Sequence, residues 1–256
     1  RGRMAELADR IIENVVRLEV KLLACQARLQ AETDPEALHD LRTTVRRLRS
    51  LLRPLRGLPG VVQLEMAASQ VGSYTTPWRD LEVLAAYLQE HDQPLLAARR
   101  REQLAGIYPT VADSVQLAQL LMIVDVFPRF IRAAEREGLL RGLRQRIEKV
   151  LEKQWLTLEK ALNDPGHDRH RVRLLIKRVR YGAEAYPQLN ELSARVLSRL
   201  KQAQQALGAA KARQQAQVDF RLAELRRFRG DAQVAGHGQF HAAAQSEAID
   251  HRDDGF

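Results

Sequence analysis

The sequence lacks several features that define common classes of protein. Its single cysteine, Cys25, cannot form an internal disulfide, so a reducing cytoplasm is the expected compartment. No apolar run reaches the roughly 18 residues of a membrane-spanning helix, and residues 1–4 lead into an amphipathic segment, unlike a secretion signal. Nine prolines and fourteen glycines leave most of the 256 residues free to form regular structure. We therefore expect a soluble intracellular protein with no membrane partner.

The residues that are abundant favour helix, and their pattern predicts an all-α fold. Apolar residues recur at three- and four-residue spacing, and no strand-like alternation of convincing length occurs. The expected helices cover about 4–30, 35–54, 61–72, 77–90, a broken section 94–140, then 141–163, 165–186 and two helices ending near 229. The breaks in 94–140 are placed at Tyr108-Pro109, Phe127-Pro128 and Gly138, and Asp34-Pro35 and Asp164-Pro165 are taken as helix starts.

The last segment, residues 230–256, has few large apolar side chains and is predicted to be a disordered tail. It contains His237, His241 and His251. Metal binding by these histidines is the less favoured alternative to ordinary tail composition. We predict no metal site, no cofactor and no catalytic residue in this chain.

The positive charge is concentrated in two short segments. Residues 39–56 and 167–180 each contain six basic residues and one acid, so each carries +5, whereas the whole chain carries +9. The two segments align without a gap as H-x-x-R-x-x-x-(R/K)-R-x-R, at an offset of 131 residues. A match of this kind within one chain indicates a duplicated helical unit.

Helical geometry places most of these bases on two stripes. At about 100° per residue, the first stripe is roughly 80° wide. The first contains His39, Arg42, Arg46, Arg49 and Arg53, and the second contains His170, Arg173, Lys177 and Arg180. Arg47 and Arg178 fall off both stripes and are expected to serve elsewhere. Acids at helical spacing are missing from the first stripe, and the second has only Glu184.

Two interpretations of the stripes remain open. Each could be a solvated face paired with acids of neighbouring helices, or the two could face each other and bind an anion. The first stripe is roughly 20 Å long at 1.5 Å per residue, which is too long for one phosphate. Repetition in the same register favours a groove for an extended polyanion, whose binding would weaken steeply with salt.

The paired histidine motif resembles the signature helices of the CHAD domain, the conserved-histidine α-helical domain. Three further segments are similar to this family: the R-D-L-E-V-L stretch that begins at Arg79, the K-R-V-R-Y-G-A-E stretch of 177–184, and the helix of 200–207 before Gly208. In the family, glycine turns are expected near Gly72 and Gly208. Here Gly72 is separated from Arg79 by extra residues, and Lys211-Ala212 replaces a frequent Asn-Asp.

The resemblance implies a single domain over residues 4–229, with halves 4–140 and 141–229 that form two pseudo-symmetric four-helix bundles around a central basic cavity. It further implies binding of inorganic polyphosphate and association with polyphosphate granules in the cytoplasm. The implied contacts are the nine residues of the two stripes and, more weakly, Lys201. Changing Arg42 and Arg173 together to glutamate is expected to abolish binding without unfolding the helices.

Two other functions are less favoured. Nucleic-acid binding fits the charge, but aromatic residues make up only 5% of the chain, and Trp78 and Trp155 are expected in the core. A polyphosphate hydrolase could use His39 and His170, yet the stripes contain almost none of the carboxylates that hold metal ions in phosphoryl transfer. The sequence does not predict the oligomeric state.

Overall fold

The structure is a computed structural model that describes residues 2–232, with side chains for 2–218 and 220–222. The described residues form nine α-helices and no strand, which confirms the all-α fold class. The helices are α1 (Gly2–Ala31), α2 (Ala37–Leu52), α3 (Val61–Glu90), α4 (Pro94–Glu102), α5 (Ile107–Ala112), α6 (Val115–Arg136), α7 (Leu143–Leu162), α8 (Arg169–Ala185) and α9 (Ala194–Ala232). A short 3-10 helix, Arg53–Leu55, follows α2 directly.

None of the described helices combines the length and the apolar composition that a membrane crossing requires.

The last helix, α9, continues through Ala232, which is three residues into the segment predicted to be disordered. The rest of that segment, 233–256, lies outside the described residues, together with His237, His241 and His251.

Two helices, α6 and α8, begin at a residue whose side chain caps the first turn. The cap predicted for α2 at Asp34 is wrong, because α2 begins after Glu36 without a side-chain cap. Asp168 caps α8, because its carboxylate accepts the backbone N–H groups of His170 and Arg171 at 3.1 and 3.3 Å. The expected cap at Asp164 is therefore wrong. Ser114 caps α6 in the same way, through the N–H of Leu117 at 3.2 Å.

Two predicted helix breaks at proline do not occur. Pro77 lies inside α3 and Pro128 lies inside α6, and both helices continue past them. Proline removes the hydrogen bond to the carbonyl four residues earlier, which for Pro77 is that of Ser73 on the exposed side of α3. Solvent can satisfy this carbonyl, so the packing of α3 outweighs the local signal. The prediction of two helices after Pro187 is also wrong, because the structure has one continuous helix there, α9.

The core is divided among three clusters of buried residues. The largest is built from α1, α2, α3, α5, α6 and the start of α7, and it also receives Tyr186 from the end of α8. A second joins α7, α8 and α9, and a small third joins α3, α4 and α9. Trp78 packs against the first cluster and Trp155 against the second, as predicted.

The packing of α2 against α8 positions the candidate site. Apart from this contact, α2 packs on α1 and α3, whereas α8 packs on α7 and α9. The apolar side of each helix faces its own cluster, with Leu41, Val45 and Leu48 of α2 fully buried. The basic sides are thereby left at the junction of the two helices.

Candidate anion-binding pocket

Basic side chains from α2, the following 3-10 helix and α8 line one pocket. Its basic residues are Arg46, Arg49, Arg53, Lys177 and Arg178, and Ser50, Leu174 and Tyr181 complete the lining. We call these eight residues the basic pocket. Four of the five cations were predicted from the stripes, and the structure brings these four together. The open space between them is about 20 Å³, enough for one water molecule.

Carboxylates in the described part of the chain do not pair with four of the five basic residues of the pocket. Among the described residues, none forms an ion pair with Arg49, Arg53, Lys177 or Arg178. The Nε and one Nη atom of Arg49 are buried without a hydrogen-bond partner. Buried donors without partners are costly, so a ligand with several acceptor oxygens would satisfy a need that the protein leaves open.

The nearest acids are committed to other arginines. Glu184, the one acid of the second stripe, forms a 3.0 Å ion pair with Arg47 across the α2–α8 junction. Glu65 pairs with Arg56 at 2.9 Å. The alternative of a solvated face paired with acids therefore describes Arg47 but not Arg49, Arg53 or Lys177.

The amine of Lys177 lies in an electrostatic environment that strongly disfavours its charged form. Burial, together with Arg46, Arg173 and Arg42, lowers the pKa of its amine from 10.5 to about 5. With this pKa the amine is neutral at pH 7. A bound polyanion would offset the repulsion from the three arginines and favour the protonated amine.

The arginines behave differently, because a guanidinium is far harder to deprotonate. Burial and the nearby Arg178 lower the pKa of Arg53 to about 10. Burial also lowers the pKa of Arg49 to about 10, although Glu65 opposes the shift. Both remain charged at neutral pH, so the pocket keeps a high positive potential.

The basic pocket continues inward through Arg46. Burial lowers the pKa of Arg46, and the neighbouring Tyr181 opposes this shift. Arg173 and Arg79 lie close enough to Arg46 to lower its pKa further. His39 is half-buried beside Arg79, and burial together with that charge lowers the histidine pKa, so the ring is neutral at pH 7.

The side chain of Arg42 forms hydrogen bonds with residues of α3. It is only 5% exposed, and its Nη1 donates to the Gly72 carbonyl at 2.7 Å. The same atom donates to the hydroxyls of Thr75 and Thr76 at 2.8 and 3.2 Å. Arg42 thus joins α2 to α3, although burial and Arg46 lower its pKa to about 9.

The remaining predicted residues are not part of the pocket lining. Arg180 points to α9, where its Nη1 donates to Gln204 Oε1 at 2.6 Å. Arg173 lies beside Gly208 of α9, and His170 is half-buried in the first turn of α8. Lys201 is exposed on α9. Of the ten predicted contacts, Arg46, Arg49, Arg53 and Lys177 share the lining of one pocket.

Comparison with known proteins adds one finding. A family model described as the CHAD domain matches residues 18–219. The chain belongs to the CHAD domain family. A search of curated proteins and a search of solved structures each found no match.

This CHAD domain lacks the glycine turns expected near Gly72 and Gly208. Both glycines lie inside long helices, α3 and α9. Each lies beside the first arginine of a basic stripe: Gly72 accepts a hydrogen bond from Arg42, and Gly208 lies next to Arg173. In this CHAD domain the two glycines therefore lie within helices, beside arginines, rather than in turns.

Four further residues of the CHAD domain line the basic pocket or lie near it, but were not among the predicted contacts. Arg178 lines the pocket, which corrects the expectation that it serves elsewhere, and Tyr181 lines it as well. Arg79 of α3 lies near His39 and Arg46, and Lys211 of α9 lies near Lys177. Position on a single helix could not identify them, because their proximity depends on how α2, α3, α8 and α9 cross. Arg79 and Tyr181 did lie within the quoted family motifs.

Proposed function

We propose that this CHAD domain binds inorganic polyphosphate in the basic pocket. One observation carries the proposal: five basic side chains from α2, the 3-10 helix and α8 line one space, and no carboxylate is among the lining residues. Guanidinium and ammonium groups match phosphate oxygens in charge and geometry. The family match is consistent with a polyphosphate-associated role.

An extended ligand suits the arrangement better than a single phosphate. Further basic side chains lie next to the pocket, because Arg173 and Arg79 are near Arg46 and Lys211 is near Lys177. Consecutive phosphoryl units would therefore meet successive basic side chains. The open space is smaller than a phosphate, so binding requires the long side chains to move outward. Their mutual repulsion favours that movement, and the ligand would then offset it.

We further propose that the fold is a duplication of two four-helix bundles around a central basic cavity. Two corresponding contacts support this relation. Arg42 and Arg173 occupy the same position of the repeat, and each lies against a glycine of the following long helix. The cavity would form when the ligand separates the cationic side chains of α2 and α8.

We infer that the protein binds polyphosphate without hydrolysing it, and that it associates with polyphosphate granules. The ionisable groups that line the pocket are four arginines, one lysine and the phenol of Tyr181. None of them is a carboxylate that could hold a magnesium or manganese ion. Incubation with either cation should leave the length of the polyphosphate chain unchanged, whereas shortening would contradict this inference.

A salt-dependent titration with polyphosphate, tripolyphosphate and double-stranded DNA tests the binding proposal. We expect polyphosphate to bind most tightly per phosphate and to displace labelled DNA, with log Kd rising linearly with log salt concentration. The double variant Arg49→Gln/Arg53→Gln should weaken polyphosphate binding at least about tenfold and reduce the salt slope.

Arg47→Gln is the matched control, because Arg47 lies on the same helix but pairs with Glu184. It should leave the affinity for polyphosphate within about twofold of the original. Equal losses in the double variant and the control, or tighter binding of DNA than of polyphosphate, would contradict the proposed site.

A further inference from the structure

A second cleft lies between the end of α3, the start of α4 and the distal part of α9. It encloses about 420 Å³, which is within the range of about 300–1,000 Å³ typical of sites for small organic ligands. Its apolar surface comes from Leu88, Leu96 and Ala216. It shares no lining residue with the basic pocket.

Aromatic rings form one part of this cleft. Tyr87 and His91 are stacked, with ring centroids 4.0 Å apart and planes inclined by 18°. The His91 Nδ1 lies 2.9 Å from the carbonyl oxygen of Tyr87, which fixes the orientation of the imidazole. Phe220 of α9 also lines the cleft and is 45% exposed. Flat rings at an open site are suited to stacking with a heterocyclic base.

Cationic and amide side chains form the other part. Arg213 and Arg221 project from α9, and no carboxylate is among the lining residues that the structure describes. Gln93 and Gln217 supply amide groups, which can donate to or accept from the edge of a base. The cleft therefore combines stacking surfaces, hydrogen-bonding groups and positive charge within the volume of one small ligand.

We propose that this cleft binds a nucleotide, with the base against the aromatic rings and the phosphate at Arg213 or Arg221. A purely apolar ligand would leave both guanidinium groups unused, and inorganic polyphosphate would leave the rings unused. A nucleotide uses all three kinds of surface. The proposal is independent of polyphosphate binding, because the two sites have different residues and different ligand chemistry.

Titration of the full chain with AMP, adenosine and tripolyphosphate tests this site, with saturation-transfer NMR to detect contact with the base. AMP should bind, and adenosine should bind at least about fivefold more weakly because it lacks the phosphate. Arg213→Gln/Arg221→Gln should weaken AMP binding at least about tenfold. Phe220→Ala should weaken it about fivefold through lost stacking.

Two control variants separate this site from others. Arg195→Gln/Arg199→Gln removes two cations from the same helix outside the cleft and should leave AMP binding unchanged. The pocket variant Arg49→Gln/Arg53→Gln should also bind AMP normally, even if polyphosphate binding is lost or was never present.

Three results would overturn the nucleotide proposal. They are the absence of AMP binding to the original chain, AMP binding that the cleft variants retain, and AMP binding that the pocket variant loses. A preference for a fatty-acid anion such as decanoate over AMP would overturn it as well, because that ligand has no ring to stack.

Discussion

The guanidinium of Arg173 on α8 lies against Gly208 of α9, a position without a side chain. A Cβ atom built on Gly208 would lie 3.4 Å from Nε of Arg173 and 3.5 Å from its Nη2, which is ordinary van der Waals contact. A single methyl group therefore fits, but a longer side chain would occupy the space of the guanidinium.

Substitutions at Gly208 should separate helix stability from ligand binding. Gly208→Ala should raise the free energy of unfolding by up to about 1 kcal/mol through helix propensity, with unchanged affinity for polyphosphate. Gly208→Leu should displace the guanidinium of Arg173 and weaken polyphosphate binding about tenfold. Denaturant unfolding and titration measure the two effects. Adding Arg173→Gln to the Gly208→Leu variant should cause no further loss of polyphosphate affinity. A further loss would show that the leucine does not act through Arg173.

Arg42 should be more important for stability than its position on a charged stripe suggests. Arg42→Met removes three hydrogen bonds to α3, so we expect the free energy of unfolding to fall by roughly 2 kcal/mol or more. The double change of Arg42 and Arg173 to glutamate should therefore also reduce stability, because helix propensity does not account for these bonds.

Arg49→Met is the matched control for Arg42→Met on the same helix. Arg49 has buried nitrogens without partners and lies near other cations, so its removal should not reduce stability. Equal destabilisation by the two substitutions would contradict the structural role assigned to Arg42.

Binding of polyphosphate should be coupled to protonation of Lys177. The pKa of this amine is about 5, and a polyanion would raise it, so binding at pH 7 should take up a proton. Affinity should therefore decrease as pH rises between about 6 and 9. Calorimetry in buffers of different ionisation enthalpy measures the uptake. Lys177→Met should abolish this component and leave only the titration of the ligand itself; an unchanged uptake would exclude Lys177 as its source.

The folding free energy has its own dependence on the state of Lys177. Between a folded pKa of about 5 and an unfolded value near 10.5, the unfolded chain binds the additional proton. The contribution of this group to stability therefore increases with pH through that window. Lys177→Met should remove this increase, which thermal unfolding at several pH values would detect.

Tyr186 connects the end of α8 to α2. Its hydroxyl donates a hydrogen bond to the carbonyl of Leu51, and its ring is buried in the largest core cluster. Tyr186→Phe should lower the free energy of unfolding by about 1 kcal/mol and leave polyphosphate affinity unchanged. Tyr74→Phe is the control, because Tyr74 packs against the same cluster. This substitution should change the free energy of unfolding little. A loss as large for Tyr74 would show that the Tyr186 hydroxyl has no special role.

Local sequence patterns predicted the helices better than their boundaries. The apolar spacing in α1 and the basic stripe of α2 follow directly from helical periodicity. Pro77 and Pro128 misled the prediction, because a proline removes one backbone bond but does not exclude a helix that packing stabilises elsewhere. The start of α8 was misplaced by four residues, because Asp164 and Asp168 are both suitable caps and the sequence does not rank them.

The helical fold, the two repeated basic stripes and the scarcity of acids beside them can all be predicted from the sequence, because periodicity and charge are properties of each helix alone. Which basic side chains meet depends on how the helices cross. The tertiary structure brought Arg178 into the pocket, committed Arg42 to α3 and directed Arg180 to Gln204. The crossings of α2 with α8, of α2 with α3 and of α8 with α9 set those contacts. They arise from the packing of apolar surfaces that lie far apart in sequence, which no single stripe encodes.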